Sequence, residues 1–162
     1  MGTQVITIRN SVERADVERI RSITESTGFF YPEEVDTAVE LIEDRLDKGP
    51  RCGYHFLFAE EDGQTVGYTS YGPIACTRTS FDLYWIVVAG NYRGKGLGKQ
   101  ILDASEKAIR GLGGTRVYIE TSMRELYEPT RGFYLSRGYS PVAVLDDFYA
   151  PGDAKVIYLK VI

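Results

Sequence analysis

The sequence predicts a mixed α/β fold (α+β in style), a single sheet of parallel and antiparallel strands with helices on its faces. Three observations lead there. Apolar positions switch repeatedly between period two and period 3.6 along the chain, so strands and helices are interleaved. "EDGQ" at 61–64 carries Asp-Gly between two alternating runs, the mark of an antiparallel hairpin. The segment from Asp82 to Glu120 reads as strand, long helix, strand, which makes those two strands parallel and their crossover right-handed. The predicted order is βααβββαβαββ in one domain over residues 1–162, long enough to bury a core and free of repeats, linkers and low-complexity segments.

Each element has its own signal. "VITIR" alternates as a strand, and Asn10 followed by Glu13 has the spacing of a capping box opening a first helix that Gly28 stops after Thr27. Pro32 suits the first turn of a second helix. Val35, Val39, Ile42 and Leu46 mark its inner face, and Gly49-Pro50 ends it. "YHFLFAE" and "TVGYTSYG" are the hairpin strands, and "FDLYWIVV" is a strand buried on both faces at its C-terminal end. Leu97, Ile101, Ala104, Ala108 and Leu112 form the expected inner stripe of a third helix, and "TRVYIE" follows Gly113-Gly114 as a strand. Pro129 to Arg137 is a short helix stopped by Gly138, and "SPVAVL" and "AKVIYLKVI" close the chain as strands joined through "YAPGD".

Composition narrows the function classes. Hydrophobic residues make up 43% and aromatics 12%, the profile of a globular chain. Nineteen basic against 23 acidic side chains give net −4, which argues against a nucleic-acid binder that must neutralise phosphates. No apolar run has the length of a membrane span, "MGTQVITIRN" lacks a signal-peptide core, and "MGTQVI" has Ile where a myristoylation signal wants Ser or Thr. Cys52 and Cys76 are too few for a disulfide framework and lack CxxC spacing, so they read as reduced residues of a cytoplasmic protein. No metal site is expected.

The chemistry concentrates in "NYRGKGLGKQ" at 91–100, a glycine-rich bend between strand and helix. A P-loop would continue Gly98-Lys99 with Ser or Thr, but Gln100 stands there and Arg93 replaces its first glycine. A Rossmann fingerprint fails because its third glycine comes one residue early. What remains is R-x-x-G-x-G over Arg93-Gly94-Lys95-Gly96-Leu97-Gly98, which sets successive backbone N–H groups and a helix N-terminus around an anion. Arg93 and Lys95 or Lys99 add positive charge.

With its element order, "VVAGNYRGKGLGKQIL" and "RGFYLSRGY" some 40 residues apart, nearly the whole chain resembles the GNAT superfamily of N-acetyltransferases. That resemblance implies the GNAT acyl-CoA N-acyltransferase fold, with acetyl-CoA as co-substrate and an amine as acceptor. The pyrophosphate then sits on the amides of Arg93, Gly94, Lys95, Gly96, Leu97, Gly98 and Lys99, with the pantetheine arm along Ile86, Val87 and Val88. Ala89-Gly90 departs from the His/Asn-Pro common after that strand, a change expected to be tolerated in a bend. Homodimers are frequent in the superfamily, and the final strands offer an edge for one; this is analogy alone.

Acetyl transfer from a thioester to an amine needs a base for the ammonium, a donor for the developing oxyanion, and an acid for the leaving thiolate. By the resemblance the backbone amide of Val88 is the donor and Tyr134, matching the family's "FY", is the acid. A phenol, protonated at neutral pH, suits that role, while Phe133 beside it reads as core. For the base, Glu120 at the end of its strand comes first. Asp82, nearer the start of the preceding strand, follows, then Glu33 or Glu34, with a water chain also open. His55, the one histidine, reads as packing. The acceptor site falls on Phe30, Tyr31 and Glu33, with Phe29, Tyr71 and Tyr84 as further aromatics and Trp85 read as core. The competing function is a non-catalytic acyl-CoA sensor of the same fold. A small amine and a protein amine are not separable at this level.

Overall fold

The computed structural model describes residues 5–162. Met1–Gln4, which carry the myristoylation reading and the start of the leader reading, lie outside the described residues. The chain runs β1 (Ile6–Arg9), α1 (Asp16–Ser26), α2 (Pro32–Lys48), β2 (His55–Glu61), β3 (Gln64–Pro73), β4 (Ser80–Val88), α3 (Leu97–Gly111), β5 (Arg116–Ser122), α4 (Glu128–Ser136), β6 (Ser140–Ala150) and β7 (Asp153–Val161). The predicted element order is the observed one. Seven strands form one sheet in the order β1-β2-β3-β4-β5-β7-β6, with β4 and β5 parallel and the other neighbours antiparallel. No described helix is long and apolar enough to cross a membrane.

The hairpin follows from turn chemistry. Asp62 and Gly63 both take positive φ, 50° and 76°, as a two-residue turn matched to strand twist requires.

Two apolar layers cover the sheet. Leu102 and Ile109 of α3 pack with Phe81, Leu83, Val117 and Ile119 on one face. Ile20 of α1 and Val39 and Ile42 of α2 pack with Phe58, Tyr68 and Val87 on the other. A bulge lets β4 serve both layers. Ser70 pairs with Trp85 while Tyr71 pairs with Leu83, leaving Tyr84 as the extra residue. Side chains alternate along a strand, so this insertion reverses the parity. Phe81 and Leu83 join the α3 layer, and Val87 joins the α1–α2 layer.

Four local expectations are corrected. Asn10 and Glu13 do not form a capping box; α1 begins at Asp16, whose fully buried carboxylate accepts from the Glu13 N–H at 2.8 Å and from Arg9 at 2.8 and 2.9 Å. Burial alone would push that carboxyl up, but the hydrogen bonds from Arg9, Glu13 and Arg19 hold it below the usual range. The inner stripe of α3 is rotated: Leu102, Ser105 and Ile109 are buried beside Leu97 and Ile101, while Leu112 lies beyond the helix and is exposed. Ser105 is admitted because its hydroxyl bonds Thr69 at 2.7 Å and the Ile101 carbonyl at 2.8 Å. Leu46 of α2 is only half-buried, Ala38 taking an inner position in the stripe. Strand β6 extends to Ala150, past the predicted Leu145, forming an outer edge with Val142, Val144 and Phe148 exposed.

One glycine binds the sheet to the turn before it. A Cβ on Gly72 would stand 2.0 Å from the Gly53 carbonyl oxygen, backbone against backbone. Gly72→Ala is therefore expected to destabilise the fold by about 2–3 kcal/mol, measured as a lower urea midpoint at unchanged m-value.

Candidate functional site

Strands β4 and β5 are in register only from Ser80↔Arg116 to Asp82↔Tyr118, and beyond that point they separate. The gap opens into a cleft of about 1070 Å³ that draws on β4, β5, the segments flanking α2, the loop before α3, helix α4 and the β6–β7 hairpin. At this volume it exceeds what a small ligand needs and suits a long one together with a second molecule.

The edge of β4 facing the gap has its amides free. Ala89 N–H donates to the Val66 carbonyl of β3 at 2.9 Å. Successive strand amides point to opposite edges, so Val88 N–H, and Ile86 N–H two residues earlier, face the cleft. Both residues line it, as does Val87, whose side chain is buried in the α1–α2 layer.

The glycine-rich loop closes one end. Gly94 and Gly96 hold φ of 73° and 81°, the left-handed region that favours glycine, and thereby turn the chain into α3. The first helical bond of α3 runs from Gln100 N–H to Gly96 O at 3.2 Å. The amides of Leu97, Gly98 and Lys99 therefore have no partner within the helix, and with the helix dipole they make an anion site. Arg93 lines the cleft with its guanidinium 4.3 Å from the Phe29 ring centre. Gly98 also lines it, with an added Cβ in ordinary contact with Phe133 at 3.5 Å. Two predicted loop residues are placed differently. Leu97 is buried against Ala59, Val66 and Ile101, so it offers only its backbone, and Lys95 turns over the Tyr92 ring at 5.6 Å, outside the cleft lining.

Tyr134 of α4 reaches the cleft from within the core. It is 4% exposed, packed against the rings of Tyr158 and Tyr139 with centroids 5.8 and 6.1 Å away. Its hydroxyl has no hydrogen-bond partner among the described residues. Burial, then the neighbouring Tyr158 and Tyr127, push this phenol well above its ordinary value, so it stays protonated across the physiological range.

Two carboxylates, Asp82 and Glu120, also line the cleft, with Lys155 beside them. Burial, then the charge of Glu120, push the Asp82 carboxyl from 3.8 up to about 6, with Lys155 pulling it down. Glu120 is half exposed and pairs with Lys155 at 2.6 Å. Tyr84 beside them is pushed up to about 12 by burial and by Asp82 and Tyr54. Raised carboxyls of this kind gather at working sites.

The mouth of the cleft is aromatic. Phe30 meets Trp85 edge-on at 5.0 Å, and Tyr31 is exposed beside them. Of the neighbouring acids it is Glu34 that lines the cleft; its carboxylate accepts from Tyr31 N–H at 2.8 Å and caps α2. Glu33 points to solvent and lies outside the lining. Sequence reading passed over Arg124 and Lys155. Arg124 bonds the Tyr31 hydroxyl at 3.0 Å and pairs with Asp153 at 3.3 Å, tying α2, β5 and β7 together across the mouth. No spacing signal marks either residue, since each acquires its role from strands far apart in the chain. His55 stacks on Tyr71 at 5.6 Å, away from the cleft.

Known proteins share this fold. The model of the acetyltransferase (GNAT) family matches residues 17–139. A crystal structure of a GNAT-family member from Desulfovibrio desulfuricans is 44% identical, with TM-score 0.95 over 97% of this chain and 99% of that one. An aminoglycoside 6'-N-acetyltransferase complexed with coenzyme A shares the fold at 20% identity, TM-score 0.78, covering 97% of this chain and 96% of that one. So does the PaiA N-acetyltransferase of Thermoplasma acidophilum in complex with coenzyme A, at 18% identity, TM-score 0.72, covering 98% and 99%. No curated protein matches the chain. With a family match over residues 17–139 and a 44% identical relative covering almost all of it, the chain belongs to the acetyltransferase (GNAT) family, enzymes that use acetyl-CoA as their co-substrate.

Proposed function

We propose that this enzyme moves the acetyl group of acetyl-CoA to a primary amine by direct attack within a ternary complex. The observation that carries the reading is the meeting of a desolvated carboxylate, Asp82, and a protonated phenol, Tyr134, in one cleft with the open edge of β4. The diphosphate of the co-substrate rests on the amides of Leu97, Gly98 and Lys99, with Arg93 adding charge. Its amide-rich arm runs along Ile86 to Val88.

The amine enters past Phe30, Tyr31 and Glu34. Asp82, further down β4 than Val88, takes its proton through intervening water, and the neutral nitrogen attacks the thioester carbonyl. Val88 N–H stabilises the oxyanion. As the carbon–sulfur bond breaks, Tyr134 gives its proton to the departing thiolate, and the extra proton still on the nitrogen leaves through water and restores the phenol. Asp82 replaces Glu120 as first choice for the base. The Glu120 carboxylate is occupied by Lys155, whereas Asp82 has no ion-pair partner among the described residues. Cys52 is only half-buried and Cys76 is exposed; both are free and neither lines the cleft, which favours direct attack over an acetyl-enzyme and accords with a cytoplasmic setting.

The test is release of free thiol from acetyl-CoA across a panel of small amines and peptides. Acetylation of at least one, with a rise in Tm on adding acetyl-CoA, is the expected result. Tight binding with no transfer to any amine would instead favour the acyl-CoA sensor.

A further inference from the structure

Asp82, Glu120 and Lys155 belong to three adjacent strands, β4, β5 and β7. Asp82 is in register with Tyr118, and Lys155 with Ser122. Tyr118, Glu120 and Ser122 alternate onto one face of β5, so the three charged side chains rise from the same face of the sheet. Lys155 is 8% exposed, against 46% for the Glu120 side chain. Its ammonium lies 3.7 Å from the Phe148 ring centre and 5.8 Å from that of Tyr149. A buried ammonium needs a counter-ion, and among the described residues Glu120, at 2.6 Å, is the carboxylate that supplies it.

Building on the assignment of Asp82 as the base, we propose that Lys155 is a positioning residue that divides the work between two neighbouring carboxylates. It engages Glu120 as its counter-ion and leaves Asp82 as the one that accepts the amine proton. The same cation moderates Asp82 itself. Asp82 is faced by Glu120 from β5 and Lys155 from β7, and by Tyr84 on its own strand. Burial and Glu120 raise it while Lys155 lowers it, so removing the cation raises it further.

The test compares Lys155→Met and Lys155→Arg through the pH dependence of kcat/KM, using acetyl-CoA and an amine the wild type acetylates. Lys155→Met is expected to move the acidic limb upward by about one unit while leaving the KM for acetyl-CoA unchanged; methionine still packs on Phe148, so the fold survives. Lys155→Arg retains the ion pair and is expected to return the limb towards its wild-type position. A limb that stays in place in Lys155→Met, with kcat lowered or not, would overturn the role assigned to Lys155. Failure of the base assignment gives a different signature: the limb then persists in Asp82→Asn.

Discussion

Asp82→Asn is expected to lower kcat/KM by about 10²- to 10³-fold, the usual contribution of a positioned base, while acetyl-CoA still raises Tm as in the wild type. Asparagine fills the same space but cannot take a proton. The wild-type pH profile carries a sign that the variant should lose. Asp82 works as a carboxylate, and its value sits at about 6 in the folded enzyme, so activity is retained above that pH and lost as pH falls through it. Stability follows the opposite course. Between 3.8, the ordinary value of the group in an unfolded chain, and about 6, the folded state keeps a proton that the unfolded chain has released. This carboxyl therefore contributes less stability as pH rises through that window. Asp82→Asn should flatten that part of the Tm-versus-pH curve and leave Tm at pH 7 no lower than in the wild type. An acidic limb that survives the substitution, or wild-type kcat/KM, would remove Asp82 from the mechanism.

Tyr134→Phe is expected to reduce kcat by about 10²-fold with little change in KM for acetyl-CoA. The ring keeps its contacts with Tyr139 and Tyr158, and the lost hydroxyl has no partner among the described residues, so melting should be unaffected. The deficit should shrink with an acyl donor whose leaving thiol is more acidic, because that thiolate needs less help from an acid. Because this phenol is held well above its ordinary value, its titration adds no alkaline limb near neutrality. Full activity in the variant would mean that water protonates the thiolate.

Much of the fold could be read locally. Pro32 opening α2, Asp62-Gly63 turning the hairpin and Gly138 stopping α4 each act through backbone geometry within a few residues, and each stands where the chain itself indicates. The glycine-rich loop is legible for the same reason, because its anion site is made from consecutive amides. Asn10 and Glu13 misled because Arg9 pairs both with Asp16 and with Glu60, a residue distant in the chain, in an ion-pair network at the start of α1. The stripe of α3 was misjudged because Ser105 is buried through a hydrogen bond with Thr69 of β3, a partner no helical period can reveal.

The sequence by itself determined the element order, the parallel pair and the glycine-rich bend before α3, since all three arise from neighbours along the chain. Only the tertiary structure decided which of Asp82 and Glu120 is left without an ion-pair partner among the described residues. Lys155 returns from the last strand to Glu120, and the strands separate just past Asp82, leaving that group partly stripped of water beside a negative charge. Desolvation and charge pairing depend on distance through space, and they are set only when β4, β5 and β7 lie side by side.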